Sequence, residues 1–259
     1  MFFVLNKQKI ISYIVAFWAV AILFCGAGLF VPKFDETIET SANTKKLLPI
    51  YSVETDEKKV SLTINCAWNA DDIDTILDTL SKYKVHVTFF MVGDWVDRFP
   101  DAVKKISDAG HEIGNHSDTH PHVNNLSLEK NCEQIKECSD KIEKITGKRS
   151  VLYRGPYGEY NDTVIKAAEQ EEHKVIQWSL DTLDYKGLTG DEMWNRLKDK
   201  LTNGSIVLMH NGTAHTAESL DKLIYNITEK GFEIVKVSDL IYIDNYTIDN
   251  NGMQKLVKK

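Results

Sequence analysis

From Lys58 onward, short apolar runs rich in β-branched and aromatic residues alternate with longer stretches of helical periodicity. That alternation is the pattern of repeated βα units on a parallel sheet. The apolar runs predict strands at 60–65, 85–92, 112–115, 151–153, 175–179, 205–209 and 233–237, with helices in the gaps. The clearest helix spans 128–145: Leu128, Cys132, Ile135, Cys138, Ile142 and Ile145 share one face, with Ser127 placed to cap its start and Gly147 its end. Cys132 and Cys138 are therefore read as core residues. The fold class predicted is α/β, a distorted (β/α) barrel of about seven strands. A doubly wound open sheet is the alternative, although no glycine-rich phosphate loop follows the first strand.

The start of the chain is patterned differently. Ile10 to Val31 is a 22-residue run without a charge, long enough to span a bilayer as a helix. Lys7 and Lys9 precede it, and Lys33, Asp35 and Glu36 follow, so the positive-inside tendency puts the N-terminus in the cytoplasm and the rest outside. A cleaved signal peptide is the rival reading, though its apolar region is usually shorter. The organisation expected is a cytoplasmic N-terminus at 1–9, one transmembrane helix at 10–31, a polar extracytoplasmic spacer at 32–57, a folded domain at 58–244 and a C-terminal tail at 245–259. This places the protein in the cell membrane as a single-pass chain with its domain extracytoplasmic.

Composition narrows the function classes. The 259 residues suffice for one full-sized core, and 31 Lys and Arg against 38 Asp and Glu leave a formal charge of −7. That is a poor surface for nucleic acid, which rewards clustered cations. Four cysteines, at 25, 66, 132 and 138, are too few and too unevenly placed for a disulfide scaffold.

Ionisable residues gather where barrel strands end, the face on which such folds carry their chemistry. After the third predicted strand comes His116-Ser-Asp-Thr-His120, after the fourth Arg154-Gly-Pro-Tyr157-Gly, after the fifth Trp178-Ser-Leu-Asp181-Thr-Leu-Asp184-Tyr185, and the sixth ends Leu208-Met-His210-Asn. Two imidazoles four residues apart can reach a single ion.

In the order and spacing of these motifs, the chain from about Lys58 to Ile243 resembles the carbohydrate esterase family 4, or NodB-like polysaccharide deacetylases, and within it the membrane-anchored sporulation-type members. The resemblance implies removal of N-acetyl groups from cell-wall polysaccharide, with peptidoglycan the expected polymer. It also implies a divalent metal, Zn²⁺ first, with Mn²⁺ or Co²⁺ as alternatives, held here by His116 and His120. By the same resemblance Arg154 tethers the catalytic carboxylate, the Tyr157 backbone N–H helps form an oxyanion site, and Leu208 lines the acetyl pocket. His210 is the general acid, oriented by Asp184, and Tyr185 stands where a Trp is usual. The chemistry agrees: amide hydrolysis needs an activated water, a base for its proton, an acid for the leaving amine and a donor for the oxyanion.

The first motif departs from the family. Where the pattern is T-F-D-D, this chain reads Thr63-Ile64-Asn65-Cys66-Ala67-Trp68. An amide such as Asn65 has no useful basicity, and loss of a general base commonly costs a factor of about 10² to 10⁴. Cys66 is a candidate third ligand beside the two His, or else a small apolar residue at the strand end; Asp71, Asp72 and Asp118 are candidate substitutes for the missing acids, the first two reading equally as first-turn acids of a helix capped by Asn69. Two readings stand: a metal-dependent deacetylase, or a catalytically impaired relative that binds glycan. Trp68, Trp95, Tyr157, Tyr160 and Tyr185 are candidate sugar-stacking aromatics, while His86 and His173 read as surface residues. The expected partners are cell-wall glycan and the membrane, with no nucleic acid, and the oligomeric state is open.

Overall fold

The computed structural model describes residues 46–257 and, ahead of them, only the isolated positions Ile11 and Ile14. Those two positions apart, the expected cytoplasmic stretch 1–9, apolar segment 10–31 and first part of the spacer lie outside the described residues. Among the described residues, no helix is long and apolar enough to cross a membrane.

The chain opens with β1 (Ser52–Val53), β2 (Lys59–Cys66), α1 (Ile73–Tyr83), β3 (Thr88–Met91), α2 (Gly93–Arg98) and α3 (Pro100–Asp108). It continues through β4 (Glu112–Asn115), α4 (Leu128–Thr146), β5 (Leu152–Tyr153), α5 (Asp162–Gln170), β6 (Lys174–Val175) and β7 (Leu180–Asp181). The last third adds α6 (Gly190–Leu197), β8 (Ile206–His210), α7 (Thr216–Glu229), β9 (Glu233–Ile234), α8 (Val237–Leu240), β10 (Tyr246–Ile248) and β11 (Met253–Leu256). Strands β6, β5, β4, β3, β2, β8 and β7 lie side by side in that order, all parallel, and β9 pairs with the start of β2. This is the α/β barrel of short parallel strands that the periodicity predicts, left open between β6 and β7.

The opening accounts for one departure. Of the run 175–179, predicted as one strand, only Val175 lies in a strand, at the end of β6; β7 begins just after the run, at the opposite edge of the sheet. Between them the chain crosses the gap: Ile176 N–H donates to the Tyr153 carbonyl, Gln177 N–H to the Ile50 carbonyl and Ser179 N–H to the Ile206 carbonyl.

β2 shows how the sequence positions the site. Successive strand side chains point to opposite faces, and here the two faces differ in kind. Val60, Leu62, Ile64 and Cys66 belong to the main apolar cluster under the helices, with Ile76, Leu80, Met209 and Leu223. Ser61, Thr63 and Asn65, all buried, take the opposite parity and face the barrel interior. In β8, Val207 and Met209 join the same outer cluster, so Leu208 and His210 share the inner face with Thr63 and Asn65, their register partners.

The caps of α4 are as predicted: Ser127 Oγ accepts from Lys130 N–H, and Gly147 ends the helix with φ 69°. The expected spacer 32–57 and tail 245–259 are corrected in part. Parallel pairing of β1 with β11, and antiparallel pairing of β10 with β11, builds a second, three-stranded sheet from both regions. Gln254 is fully buried, and its side-chain amide exchanges hydrogen bonds with both backbone groups of Tyr242. The folded unit therefore runs from Lys46 through β11. Gly204 makes the join possible, since at φ +75° an added Cβ would come within 1.7 Å of the Val53 carbonyl oxygen.

Candidate active site

The C-terminal ends of the strands surround a cleft of about 600 Å³ lined by Asn65, His116, His120, Leu208 and His210, with Trp68, Tyr157 and Tyr185 among its other walls. The sequence-predicted residues are thus largely brought together. Four residues flanking this region, Ser117, His120, Tyr157 and Leu183, hold positive φ without being glycine, a strained backbone state that clusters at functional sites.

At the end of β4, Asn115 anchors the loop that carries the two His. Its amide donates to the Ile135 carbonyl and Ser139 Oγ on α4, and its oxygen accepts from Ser117 N–H. His116 is buried, and its Nδ1 lies 2.6 Å from the Arg154 carbonyl. A carbonyl only accepts, so the proton is on Nδ1 and Nε2 keeps its lone pair. Burial, then the neighbouring His120, pushes the His116 pKa well below the usual range, and burial lowers that of His120. Both rings are therefore neutral near pH 7; they sit 5.0 Å apart, edge to face.

Arg154 is fully buried and donates to Thr63 Oγ1 and Asn65 Oδ1, both at 2.9 Å, and to the Ile176 and Gln177 carbonyls. Its guanidinium stacks on Phe90, 4.1 Å from the ring centre. Burial pushes its pKa down to about 9, which still leaves it charged at neutral pH. Every acceptor on it is uncharged. Asn65 in turn presents Nδ2 to His116 Nε2 at 3.3 Å.

Across the cleft, Asp184 is fully buried and accepts from His210 Nδ1 at 2.9 Å, the His210 backbone N–H, the Thr216 hydroxyl and the Tyr185 backbone N–H. Its carboxylate fixes the imidazole with Nδ1 as the donor, which leaves Nε2 as the nitrogen available to a ligand. Trp68 and Tyr185 each lie 5.4 Å from the His210 ring. Asp181, the competitor for this role, instead accepts from Leu183 N–H and lines the cleft, with its pKa raised by burial.

Several candidates lie elsewhere. Cys66 is corrected as a ligand: strand parity sends its thiol into the main core, and burial pushes its pKa well up. Asp71 lies on an exposed turn where Asn69 Oδ1 accepts its backbone N–H. Asp72 accepts from Asn211 Nδ2 and Gly212 N–H, and Asp118 pairs with Lys141 at 2.6 Å. Trp95 is buried against Phe99, and Tyr160 packs on Tyr51, so neither lines the cleft. His173 is also corrected, from surface to buried, bonded to Ser139 Oγ and the Glu171 carbonyl. Trp178 lines the cleft, while Thr63 and Thr216 lie behind it, on Arg154 and Asp184; Thr63 and Trp178 stand within the motifs named above without a role read for them, Thr216 had no motif, and Thr63 was findable from its parity with Asn65.

A divalent ion of the kind the resemblance implies needs a third protein donor beside the two imidazoles. Among the described residues no three His, Cys, Asp or Glu groups converge to supply it. The Nε2 of His116 is moreover occupied by the Asn65 amide. The residues present do not fit a three-ligand centre.

Comparison with known proteins follows the same lines. Residues 52–176 match the family model described as polysaccharide deacetylase. A peptidoglycan-N-acetylglucosamine deacetylase of Bacillus cereus is 30% identical over 186 residues, covering 70% of this chain and 68% of that protein.

The chain belongs to the polysaccharide deacetylase family.

Among its relatives in that family, the uncharacterized protein YlxY of Bacillus subtilis is 35% identical over 74% of this chain. The peptidoglycan-N-acetylmuramic acid deacetylase PdaC of the same organism is 34% identical over 73%. The chain spans 60% of YlxY and 40% of PdaC. A crystal structure of a CE4 family pseudoenzyme from Bacillus anthracis is 36% identical, with TM-score 0.72 over 74% of this chain and 68% of that one. A mutant of that pseudoenzyme with restored enzymatic activity matches with the same score.

Proposed function

We propose that this cleft binds N-acetylated glycan of the bacterial cell wall, with peptidoglycan the polymer, and that N-deacetylation proceeds there slowly. The observation that carries the reading is His210, oriented by buried Asp184 and facing the same cleft as His116, His120 and Leu208. Amide hydrolysis requires a proton on the departing nitrogen, and an imidazolium supported by a carboxylate is its natural donor. Leu208 offers an apolar wall for the acetyl methyl, and Tyr157, which lines the cleft with its backbone in the left-handed state, is the residue whose N–H the resemblance assigns to the oxyanion. Trp68, Tyr157 and Tyr185, exposed around the cleft, give sugar rings apolar faces to stack on. Two functions are missing: the base, because Asn65 takes no proton from water, and, among the described residues, a third donor for a cation beside the two imidazoles.

In this reading the apolar run 10–31 anchors the chain, its domain faces the wall, and the sporulation-type resemblance sets its setting. Acetate release from peptidoglycan and from N-acetylglucosamine oligomers, with Zn²⁺, Mn²⁺ or Co²⁺ supplied, tests it. Slow release that rises by a factor of about 10² to 10⁴ in Asn65→Asp is expected. No glycan binding and no acetate from either form overturns it. A second reading, glycan binding without turnover, is favoured by the Asn65 to His116 contact; it predicts retained glycan and no acetate from the wild-type chain.

A further inference from the structure

We infer that Asn65 is a positioning residue that shuts the His116–His120 pair to divalent cations: Arg154 pins its side-chain amide so that the N–H donates into the His116 nitrogen a cation needs.

Three contacts make the chain of causes. The guanidinium of Arg154 can only donate, and its Nη1 lies 2.9 Å from Asn65 Oδ1. The amide is therefore oriented with oxygen toward Arg154 and nitrogen away from it, since the flipped form sets donor against donor. On the other side, the Arg154 carbonyl takes the His116 Nδ1 proton at 2.6 Å, so Nε2 is an acceptor. Asn65 Nδ2 is 3.3 Å from that nitrogen. One arginine thus fixes both partners, the imidazole by its backbone and the amide by its side chain.

A cation binding His116 must take the lone pair that this N–H uses. The amide cannot turn aside without stripping an acceptor from a buried charge whose remaining acceptors are one hydroxyl and two carbonyls. A carboxylate at this position behaves oppositely. One oxygen stays with Arg154, and the other faces the lone pair of Nε2 with no proton to offer, an arrangement relieved by a cation between them. With Asn65 the site is satisfied while empty. This inference concerns cation binding alone and stands whether or not the cleft turns over glycan.

The test uses the full-length chain in mild detergent, with Co²⁺ alone as the probe, followed by calorimetry and by its visible absorption on ligation. Asn65→Ala removes the amide and adds no ligand. It is expected to bind Co²⁺ more tightly than wild type, by roughly threefold to tenfold, the worth of one hydrogen bond. Asn65→Asp is expected to bind more tightly still, and His116→Gln in either background to abolish the gain. Thr63→Val, which removes a different acceptor from Arg154, is expected to leave Co²⁺ affinity at the wild-type value. Equal or weaker binding by Asn65→Ala overturns the inference, as does an equal gain in Thr63→Val. Should Asn65→Ala fold poorly, the imidazole nitrogen-15 spectrum of the wild-type chain decides. A hydrogen-bonded acceptor resonance at His116 Nε2 supports the block, and a protonated Nε2 or an acceptor free of hydrogen bonding refutes it.

Discussion

Asp184 holds His210 from two directions at once, accepting the imidazole Nδ1–H on one oxygen and the backbone N–H of the same residue on the other. Thr216 adds its hydroxyl to the second oxygen. Ring and backbone are thereby locked to one carboxylate. Asp184→Asn keeps the shape and loses the charge and the tautomer control. In the Asn65→Asp background, where turnover is highest, acetate release is expected to fall by a factor of about 10² to 10⁴ with glycan affinity nearly unchanged. A variant that retains full turnover would remove His210 from the acid role.

Arg154 is a buried cation without a carboxylate against it, the costly half of an ion pair. Asn65→Asp supplies the other half in place. A stability gain of about 1–2 kcal/mol is expected at pH 7, read as a higher urea midpoint with unchanged slope. An unchanged or lower midpoint contradicts the account of Arg154 as short of a counter-ion.

Cys66→Ala separates a core residue from a ligand. Loss of the buried sulfur is expected to cost about 1 kcal/mol, by analogy with small truncations in packed cores. Acetate release and Co²⁺ uptake are expected to stay as they were. A selective loss of cation binding would return the thiol to the site.

Acid sensitivity is expected from His173, whose pKa burial lowers from 6.5 to about 4. The unfolded chain takes up a proton near pH 6.5 while the folded chain resists until about pH 4, so over that window the unfolded state binds more protons. Stability therefore falls as pH drops from 6.5 toward 4, by about 1–3 kcal/mol for this group. His111, lowered to about 4 by burial and then by His86, adds to the same slope. His173→Gln is expected to flatten the decline in urea midpoint across that window; an unaltered slope assigns the acid sensitivity to other groups.

The barrel and the identity of the site were legible because they rest on local pattern: strand runs, caps at Ser127 and Gly147, and ionisable residues at strand ends. The parity of β2 was equally legible. The order Val60-Ser-Leu-Thr-Ile-Asn-Cys66 already puts Asn65 with Thr63 and Cys66 with Ile64, and it contradicts Cys66 as a ligand. The hairpin after Asn245 carried a signal too, since Asn250-Asn251-Gly252 between short alternating runs is turn chemistry. The contact between Asn65 and His116 carried none. It depends on the register of β2, β3, β4 and β5, which brings together Asn65 in β2, His116 just after β4 and Arg154 just after β5.

The pairing of β1 with β11 has a bearing on how this domain is made. Its two partners stand near opposite ends of the described chain, so the small sheet cannot close until β11 has been synthesised. Until the residues of β11 arrive, Val53 lacks its strand neighbour and the Gln254 plug for Tyr242 is absent. A nascent chain stalled short of them would keep an unsealed seam, open to proteases and to strand exchange with a second nascent copy.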